Sequence, residues 1–154
     1  MLILVTTLID PKLVQLNIRA ENWKDAIIKS GKPLVDNKLV TKNYLKGVIR
    51  IAEETGPYIV FMPHVALSHA KIEDGALKDG MGLTVLKDPV SFGNNDNDPV
   101  KYIFTLSSTK PDGHLSQMAR LVDLLSSNDF LKNIDKAKNI QEIINYINKL
   151  EGEN

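Results

Sequence analysis

The chain has 154 residues, no cysteine and balanced charge, with 19 Lys and Arg against 19 Asp and Glu. This length favours one domain, covering residues 1–154, with a sizeable core, and the missing cysteines exclude disulfides and thiolate metal sites. The balanced charge argues against a broad nucleic-acid surface. The apolar start is too short for a signal peptide and no apolar run could span a bilayer, so we expect a cytoplasmic protein.

Two strands and a helix are predicted in the first part of the chain. The apolar run from Leu2 to Leu8 and the alternation of apolar and polar residues at 14–18 each indicate a strand. Helical spacing of apolar residues begins at Trp23. We expect the sequence Ser-Gly-Lys-Pro at 30–33 to end that helix.

A second helix is predicted over residues 42–55. Thr41 is suited to the N-cap, and Gly56 to the residue after the helix end. The apolar run from Tyr58 to Met62 then predicts another strand, directly before a proline and two histidines.

The second half of the chain is predicted to contain further strands followed by helices. The predicted strands are 83–86, 90–92 and 100–106, separated by a turn at 87–89 and a polar loop at 93–99. Helical spacing follows from Leu115 to Leu125, and two shorter patterns follow it near 130–134 and 140–150. Strands mixed with amphipathic helices indicate an α/β sheet covered by helices.

The chain contains three histidines, and they are the candidates for chemistry. His64 and His69 follow the predicted strand 58–62, and His114 falls in the first turn of a predicted helix. Small neighbours leave the ring of His69 accessible, and unpaired N–H groups at a helix start favour anions. If His69 and His114 come together, the pair would suit an acceptor of phosphate.

Several segments carry a family resemblance in the same order along the chain. They are Gly56-Pro57-Tyr58-Ile59-Val60, Ala66-Leu67-Ser68-His69-Ala70, Glu73-Asp74-Gly75, the run from Leu86 to Gly93, Asp98-Pro99-Val100, and His114-Leu115. Together they resemble the enzyme IIA domains of the bacterial sugar phosphotransferase system, in the mannitol/fructose superfamily and most closely its ascorbate-type branch. The resemblance covers nearly the whole chain.

The resemblance implies a fold, a chemistry and a set of partners. The fold would be a three-layer α/β/α sandwich with a mixed central sheet. His69 would accept a phosphoryl group from the phosphocarrier HPr and pass it to an enzyme IIB component during sugar uptake, with His114 assisting. No metal or other cofactor is implied, and the membrane would be reached only indirectly, through an enzyme IIC permease.

Two positions depart from the family pattern, and a third is open. Ser68 stands where the family usually has proline, and its hydroxyl is a candidate hydrogen-bond partner of the phosphate. His64 stands where ascorbate-type relatives more often have glycine, and it is either a loop residue or another phosphate partner. Arg50, on the helix before this stretch, either neutralises phosphate or is solvated.

Three other functions compete with sugar transport. A regulatory phosphocarrier would use the same chemistry on His69 with other partners. A metal-dependent hydrolase could use the three histidines as ligands, although no motif such as H-E-x-x-H is present. A binding module that has lost phosphorylation is the third. Neither the sugar nor the oligomeric state follows from the sequence.

Overall fold

The computed structural model describes residues 7–152, which form five strands and five α-helices. The strands are β1 (Val14–Ile18), β2 (Val60–Met62), β3 (Val65–Ser68), β4 (Gly80–Val90) and β5 (Val100–Ser107). The helices are α1 (Trp23–Asp36), α2 (Lys42–Thr55), α3 (Pro111–Leu125), α4 (Phe130–Lys136) and α5 (Ile140–Gly152). None of these helices is long and apolar enough to cross a membrane.

The strands form one mixed sheet in the order β1-β4-β5-β3-β2. β1 is parallel to β4 and β3 is parallel to β5, whereas the β4–β5 and β2–β3 pairs are antiparallel. β3 and β5, which are far apart in the chain, therefore end side by side at the same edge of the sheet. The segment that follows β3 and the start of α3, which follows β5, are brought together at this edge.

Helices cover both faces of the sheet and give two hydrophobic cores. One core joins alternate strand residues to α1 and α2, and the other joins the remaining strand residues to α3, α4 and α5. Alternation along β3 assigns Ala66 to the first core and Leu67 to the second. The arrangement is the three-layer α/β/α sandwich that the resemblance implied.

The first helix does not end where the sequence predicted. The segment 30–33 lies inside α1, which continues to Asp36. A proline in a helix deprives the carbonyl four residues earlier of its N–H donor. Here that carbonyl belongs to Lys29, and it accepts a hydrogen bond of 2.9 Å from the side-chain amide of Gln15 on β1. The sheet thus supplies the donor that Pro33 lacks, and the helix continues.

The second helix confirms the prediction at both ends. The Thr41 hydroxyl accepts a hydrogen bond from the Tyr44 N–H, which is the expected N-cap contact. Gly56 follows the helix with φ of 88°, a left-handed conformation that favours glycine. The α2 helix therefore spans residues 42–55 as predicted.

Two of the strand predictions need correction, and a third lies mostly outside the described residues. The predicted strand from Leu2 to Leu8 falls outside the described residues except at its last two positions, which belong to no strand. In the predicted strand 58–62 only β2 is extended, because Pro57–Ile59 forms a 3₁₀ turn. The predicted turn at 87–89 is wrong: β4 runs on to Val90, with an irregular register against β5 that accommodates the proline.

Candidate active site

His69 lies directly after β3, at the edge of the sheet where that strand ends. The last residue of β3, Ser68, pairs with Thr105 on the neighbouring strand β5, so the backbone before the histidine is held by the sheet. The sequence placed the preceding strand at 58–62 and missed β3. The short run Val65–Ser68 contains only four residues, and a turn separates it from the apolar segment that precedes it.

His114 lies in the first turn of α3 and faces His69. The centres of the two rings are 4.9 Å apart and the ring planes are tilted by 58°. The structure therefore brings together the two histidines that the sequence singled out, although 44 positions separate them in the chain. Their meeting follows from the parallel pairing of β3 with β5 and from the short connection that leads from β5 into α3.

The start of α3 provides hydrogen-bond donors close to the histidine pair. The helix begins at Pro111, and Lys110 before it makes no side-chain capping bond. The N–H of His114 donates to the Lys110 carbonyl at 3.3 Å. The N–H groups of Asp112 and Gly113 come earlier in the first turn, where the helix itself provides no carbonyl acceptor. Free N–H groups and the helix dipole make this end attractive to an anion.

Burial and charge set the protonation of His69. Burial lowers the pKa of its imidazole below the ordinary value of 6.5, and the nearby His114 lowers it further, while the Leu67 backbone opposes these effects. The Nδ1 atom is buried and has no hydrogen-bond partner among the described residues. The neutral imidazole is therefore favoured at neutral pH.

Exposed apolar side chains surround the histidine pair. On one side, a groove of about 160 Å³ contains His69 among Tyr58, Phe61, Met118 and Val122. Tyr58 is 81% exposed and Val122 is 54% exposed. Large apolar groups at this exposure are typical of a surface that another protein covers.

A second groove lies on the other side of the pair. It has a volume of about 330 Å³ and is lined by His114, Lys71, Ile72, Lys110 and Leu115, among others. Within the described residues, five of the seven large apolar side chains that are exposed line one of these two grooves. The exposed apolar surface is thus concentrated at the histidines.

Ser68 does not contribute its hydroxyl to this site. It is fully buried, and alternation along β3 puts it on the same face as Ala66, which packs toward α1 and α2. Leu67 and His69 are on the opposite face, with α3. The hydroxyl of Ser68 is therefore turned away from the ring, which corrects the expectation that it could bond a phosphate there.

We expect Ser68→Ala to leave phosphoryl uptake by the protein within about twofold of the parent rate. The reason is that the lost hydroxyl lies on the far face of the sheet, while the extended backbone of β3 is retained. Uptake is measured as the rate of acid-labile phosphate incorporation in a single turnover. A loss of about tenfold or more, roughly 1.4 kcal/mol of barrier, in a variant with parental thermal stability would contradict the placement of the hydroxyl.

His64 is separated from the other two histidines. It precedes β3, whereas His69 follows that strand, so five strand steps of about 3.3 Å put roughly 16 Å between them. Its Nδ1 lies 2.7 Å from the Pro99 carbonyl. This placement corrects His64 as a phosphate partner, and it also removes the geometry that a three-histidine metal site would need.

The backbone at His64 explains why glycine suits this position. His64 has φ of 70°, in the turn between β2 and β3. A side chain in this left-handed region costs on the order of 1 to 2 kcal/mol, which glycine avoids. The hydrogen bond between the ring and Pro99 compensates in part, so the residue is a feature of the turn.

Arg50 is engaged in an ion pair with Asp74. Its guanidinium contacts the Asp74 carboxylate at 2.9 Å, and its side chain is 50% exposed. The hydrogen bond from Arg50 is the main reason that the pKa of Asp74 is lowered. The pair connects α2 to the segment that follows His69, so Arg50 is not merely solvated and its charge is already paired with that of Asp74.

Two groups of residues at this site were missed by the sequence. One is the set of apolar side chains that line the grooves, which had no signal because exposure cannot be read from residue type. The other is Tyr44, whose hydroxyl accepts a hydrogen bond from the N–H of Ala70, the residue after His69. In the sequence it is one residue of the predicted helix 42–55, and nothing distinguishes it.

Comparison with known proteins gives one consistent family. Residues 7–150 match the family model described as phosphoenolpyruvate-dependent sugar phosphotransferase system, EIIA 2. The mannitol-specific cryptic phosphotransferase enzyme IIA component of Escherichia coli (strain K12) is 33% identical over 130 residues, which are 84% of this chain and 88% of that protein. The ascorbate-specific PTS system EIIA component of the same strain is 28% identical over 144 residues, 93% and 94% of the two chains.

Solved structures agree with this result. The solution structure of the mannitol-specific cryptic enzyme IIA from Escherichia coli superposes with a TM-score of 0.81 and 30% identity, covering 92% of this chain and 96% of that one. A complex of the mannitol enzyme IIA with phosphorylated enzyme IIB, from the same organism, matches with a TM-score of 0.78. It covers 90% of this chain and 96% of that one at 18% identity, so it shows the likeness of the fold alone.

Proposed function

The chain belongs to the enzyme IIA family of the phosphoenolpyruvate-dependent sugar phosphotransferase system, and from this premise we propose that His69 is its phosphoryl acceptor. His69 takes the group from phosphorylated HPr and passes it to an enzyme IIB component. The observation that carries the proposal is the juxtaposition of the His69 and His114 rings, 4.9 Å apart, between two exposed apolar grooves.

The chemistry follows from the state of the His69 ring. A neutral imidazole with its proton on Nδ1 offers a lone pair on Nε2, and the lowered pKa keeps this form dominant at neutral pH. Nε2 attacks the phosphorus atom, and the phosphorus–nitrogen bond of phosphorylated HPr breaks as the new bond forms. The product is a phosphohistidine whose bond stays reactive, as a carrier requires.

Hydrogen-bond donors at the site stabilise the phosphoryl group during its transfer. The transition state of phosphoryl transfer carries its charge on three equatorial oxygens, so catalysis depends on position and on electrostatics. His114 and the free N–H groups at the start of α3 are the donors proposed for these oxygens. Lys110, at the edge of the second groove, adds positive charge.

The exposed apolar grooves are the proposed docking surface for both protein partners. Because there is one acceptor ring, phosphorylated HPr and enzyme IIB have to approach it in turn and bury overlapping surfaces. Tyr58, Phe61 and Val122 on one side, with Ile72 and Leu115 on the other, provide apolar contacts around the reacting nitrogen. A surface of this kind suits partners that bind, react and leave.

A reconstituted relay tests the proposal. The protein is incubated with phosphoenolpyruvate, enzyme I and HPr, then freed of them and mixed with the enzyme IIB component encoded nearest to it in the genome. We expect one acid-labile phosphate per chain in the first step and its movement to enzyme IIB in the second. Labelling without onward transfer to any enzyme IIB would favour a regulatory phosphocarrier, and no labelling would contradict the proposal.

The lowered pKa of His69 predicts how the reaction depends on pH. Protonation removes the lone pair of Nε2, and an ordinary histidine is half protonated at about pH 6.5. Because burial and His114 lower the pKa of His69, the single-turnover rate should hold its plateau at pH 6.5 and fall only at lower pH. The titration of His69 itself is followed in parallel by NMR of the ring.

The same shift predicts a loss of stability in acid. The unfolded chain takes up a proton at His69 near pH 6.5, while the folded protein does so only at lower pH, so unfolding is favoured as the pH falls through this window. His69→Gln removes this contribution and serves as the control for the stability measurement.

For the rate measurement, a midpoint of the pH profile above pH 6.5 would contradict the buried, neutral state of the ring.

A further inference from the structure

Tyr44 is almost completely buried, and no step of the phosphoryl transfer uses it. Only 2% of its surface is exposed. Its hydroxyl donates a hydrogen bond of 2.7 Å to the carbonyl of Leu106, and it accepts one of 3.0 Å from the N–H of Ala70. Ala70 is the residue directly after the acceptor histidine, so a side chain of α2 contacts the backbone of the active site.

The two partners of the hydroxyl lie just beyond the last paired residues of β3 and β5, although Leu106 still pairs with Met81 of β4. Ser68 pairs with Thr105, and this is the last registered pair between β3 and β5. Leu106 and Ala70 are therefore located where those strands have ceased to pair with each other. The tyrosine hydroxyl bridges them, and so links the two strands by a side chain beyond their last backbone pair.

The backbone of His69 is held on both sides, by the sheet before it and by this bridge after it. Strand pairing holds Ser68 before the histidine, and Tyr44 holds the Ala70 N–H after it. With both flanking peptide groups restrained, the backbone of His69 has little freedom, and the direction of its Cα–Cβ bond is set. The ring then has only its side-chain torsions to adjust toward His114.

Other contacts make α2 a rigid support for this bridge. The N–H of Thr41 donates to the Gly75 carbonyl at 3.0 Å, and the side-chain amide of Asn43 donates to the Asp74 carbonyl at 3.2 Å. Arg50 pairs with the Asp74 carboxylate. Burial raises the pKa of the Tyr44 phenol, so the hydroxyl keeps its proton and can donate and accept at once.

We propose that Tyr44 is a positioning residue for phosphoryl transfer: its hydroxyl fixes the peptide after His69 and thereby aims the acceptor ring. The inference rests on the proposed function, because it assumes that His69 is the acceptor. It adds a residue on α2, in a different layer of the sandwich from His114. A tyrosine that only filled the core would need its ring and not its hydroxyl.

The test compares Tyr44→Phe with Tyr102→Phe. Both changes remove one buried tyrosine hydroxyl and leave the ring. The Tyr102 hydroxyl donates to Asp135 at 2.6 Å on the opposite helical layer, and Tyr102 pairs with Val65 at the far end of β3 from His69. Tyr102→Phe therefore loses the hydrogen bond of a buried tyrosine, to a carboxylate, without touching the site.

Two readouts separate positioning from stability. In Tyr44→Phe the Ala70 amide should lose protection from hydrogen exchange, and the titration midpoint of the His69 ring should move upward as the ring loosens. Single-turnover phosphorylation by phosphorylated HPr should slow by about tenfold or more, because small misplacements of a reacting group are costly. Tyr102→Phe should change none of these beyond a small loss of thermal stability.

The possible outcomes are distinguishable. A parental rate and a parental His69 titration in Tyr44→Phe would overturn the inference, as would an equal slowing in Tyr102→Phe. If the parent protein itself takes no phosphate from HPr, the proposed function fails. The NMR readouts still decide whether Tyr44 orients the ring, since they need no partner protein: a shift in the His69 titration supports the inference and an unchanged one overturns it.

Discussion

Replacing His69 with alanine is expected to abolish phosphorylation of the protein by HPr. The imidazole supplies the only nitrogen proposed to carry the group, and its loss removes the covalent path instead of slowing it. The measurement is the intact mass of the protein after incubation with phosphoenolpyruvate, enzyme I and HPr. The parent should gain one phosphoryl group, and His69→Ala should gain none.

His64→Gly is the matched control for this variant. It also removes a histidine from the same stretch of chain, but one that lies beyond the other end of β3. Glycine suits the left-handed conformation of that residue, so the fold should persist. We expect His64→Gly to be labelled as fully and as fast as the parent. Phosphate retained in His69→Ala, or lost in His64→Gly, would show that the acceptor has been misassigned.

Replacing His114 with alanine is expected to slow transfer without preventing it. Loss of one well-placed donor to a developing charge typically costs about 10² to 10³ in rate, or roughly 3 to 4 kcal/mol of barrier. His69 keeps its nucleophilic nitrogen in this variant, so the full amount of phosphate should still be reached. The measurement is the single-turnover rate of transfer from phosphorylated HPr, followed by transfer onward to enzyme IIB.

A glutamine at position 114 provides the control. Its side-chain amide retains N–H donors but carries no positive charge and cannot accept a phosphoryl group as imidazole does. If His114 acts as a donor, His114→Gln should recover part of the rate that His114→Ala loses. Parental rates in His114→Ala for both steps would show that this histidine is only structural. Labelling of His69→Ala but not of His114→Ala would reverse the two roles.

The sequence predicted the parts of the fold that local patterns determine. The α2 helix was placed at 42–55 because its N-cap, its apolar face and its closing glycine agree with one another. The end of α1 was misplaced because the carbonyl left without its usual partner by Pro33 finds another donor, and the helix continues. The donor is Gln15, which lies on a strand packed against that helix, so no local rule could identify it.

The same distinction applies to the site. His69 and His114 were identified from their neighbours in the sequence and from the family resemblance, and the structure brings their rings together. The resemblance could not show the face on which Ser68 lies, which depends on the extent of the short strand β3. The role of Arg50 could not be decided from the sequence because its ion-pair partner, Asp74, is 24 positions away. Tyr44 had no signal, since its hydroxyl contacts backbone groups of β5 and of the segment after β3.

The most direct test of the central claim is to locate the phosphoryl group on the native protein. The chain is phosphorylated through phosphoenolpyruvate, enzyme I and HPr, and the modified nitrogen is identified by NMR of the histidine rings under mildly alkaline conditions, where phosphohistidine persists. We predict a single phosphohistidine, at Nε2 of His69, with the rings of His64 and His114 unmodified. Phosphate on Nδ1 of His69, on His114 or on Ser68 would contradict the account.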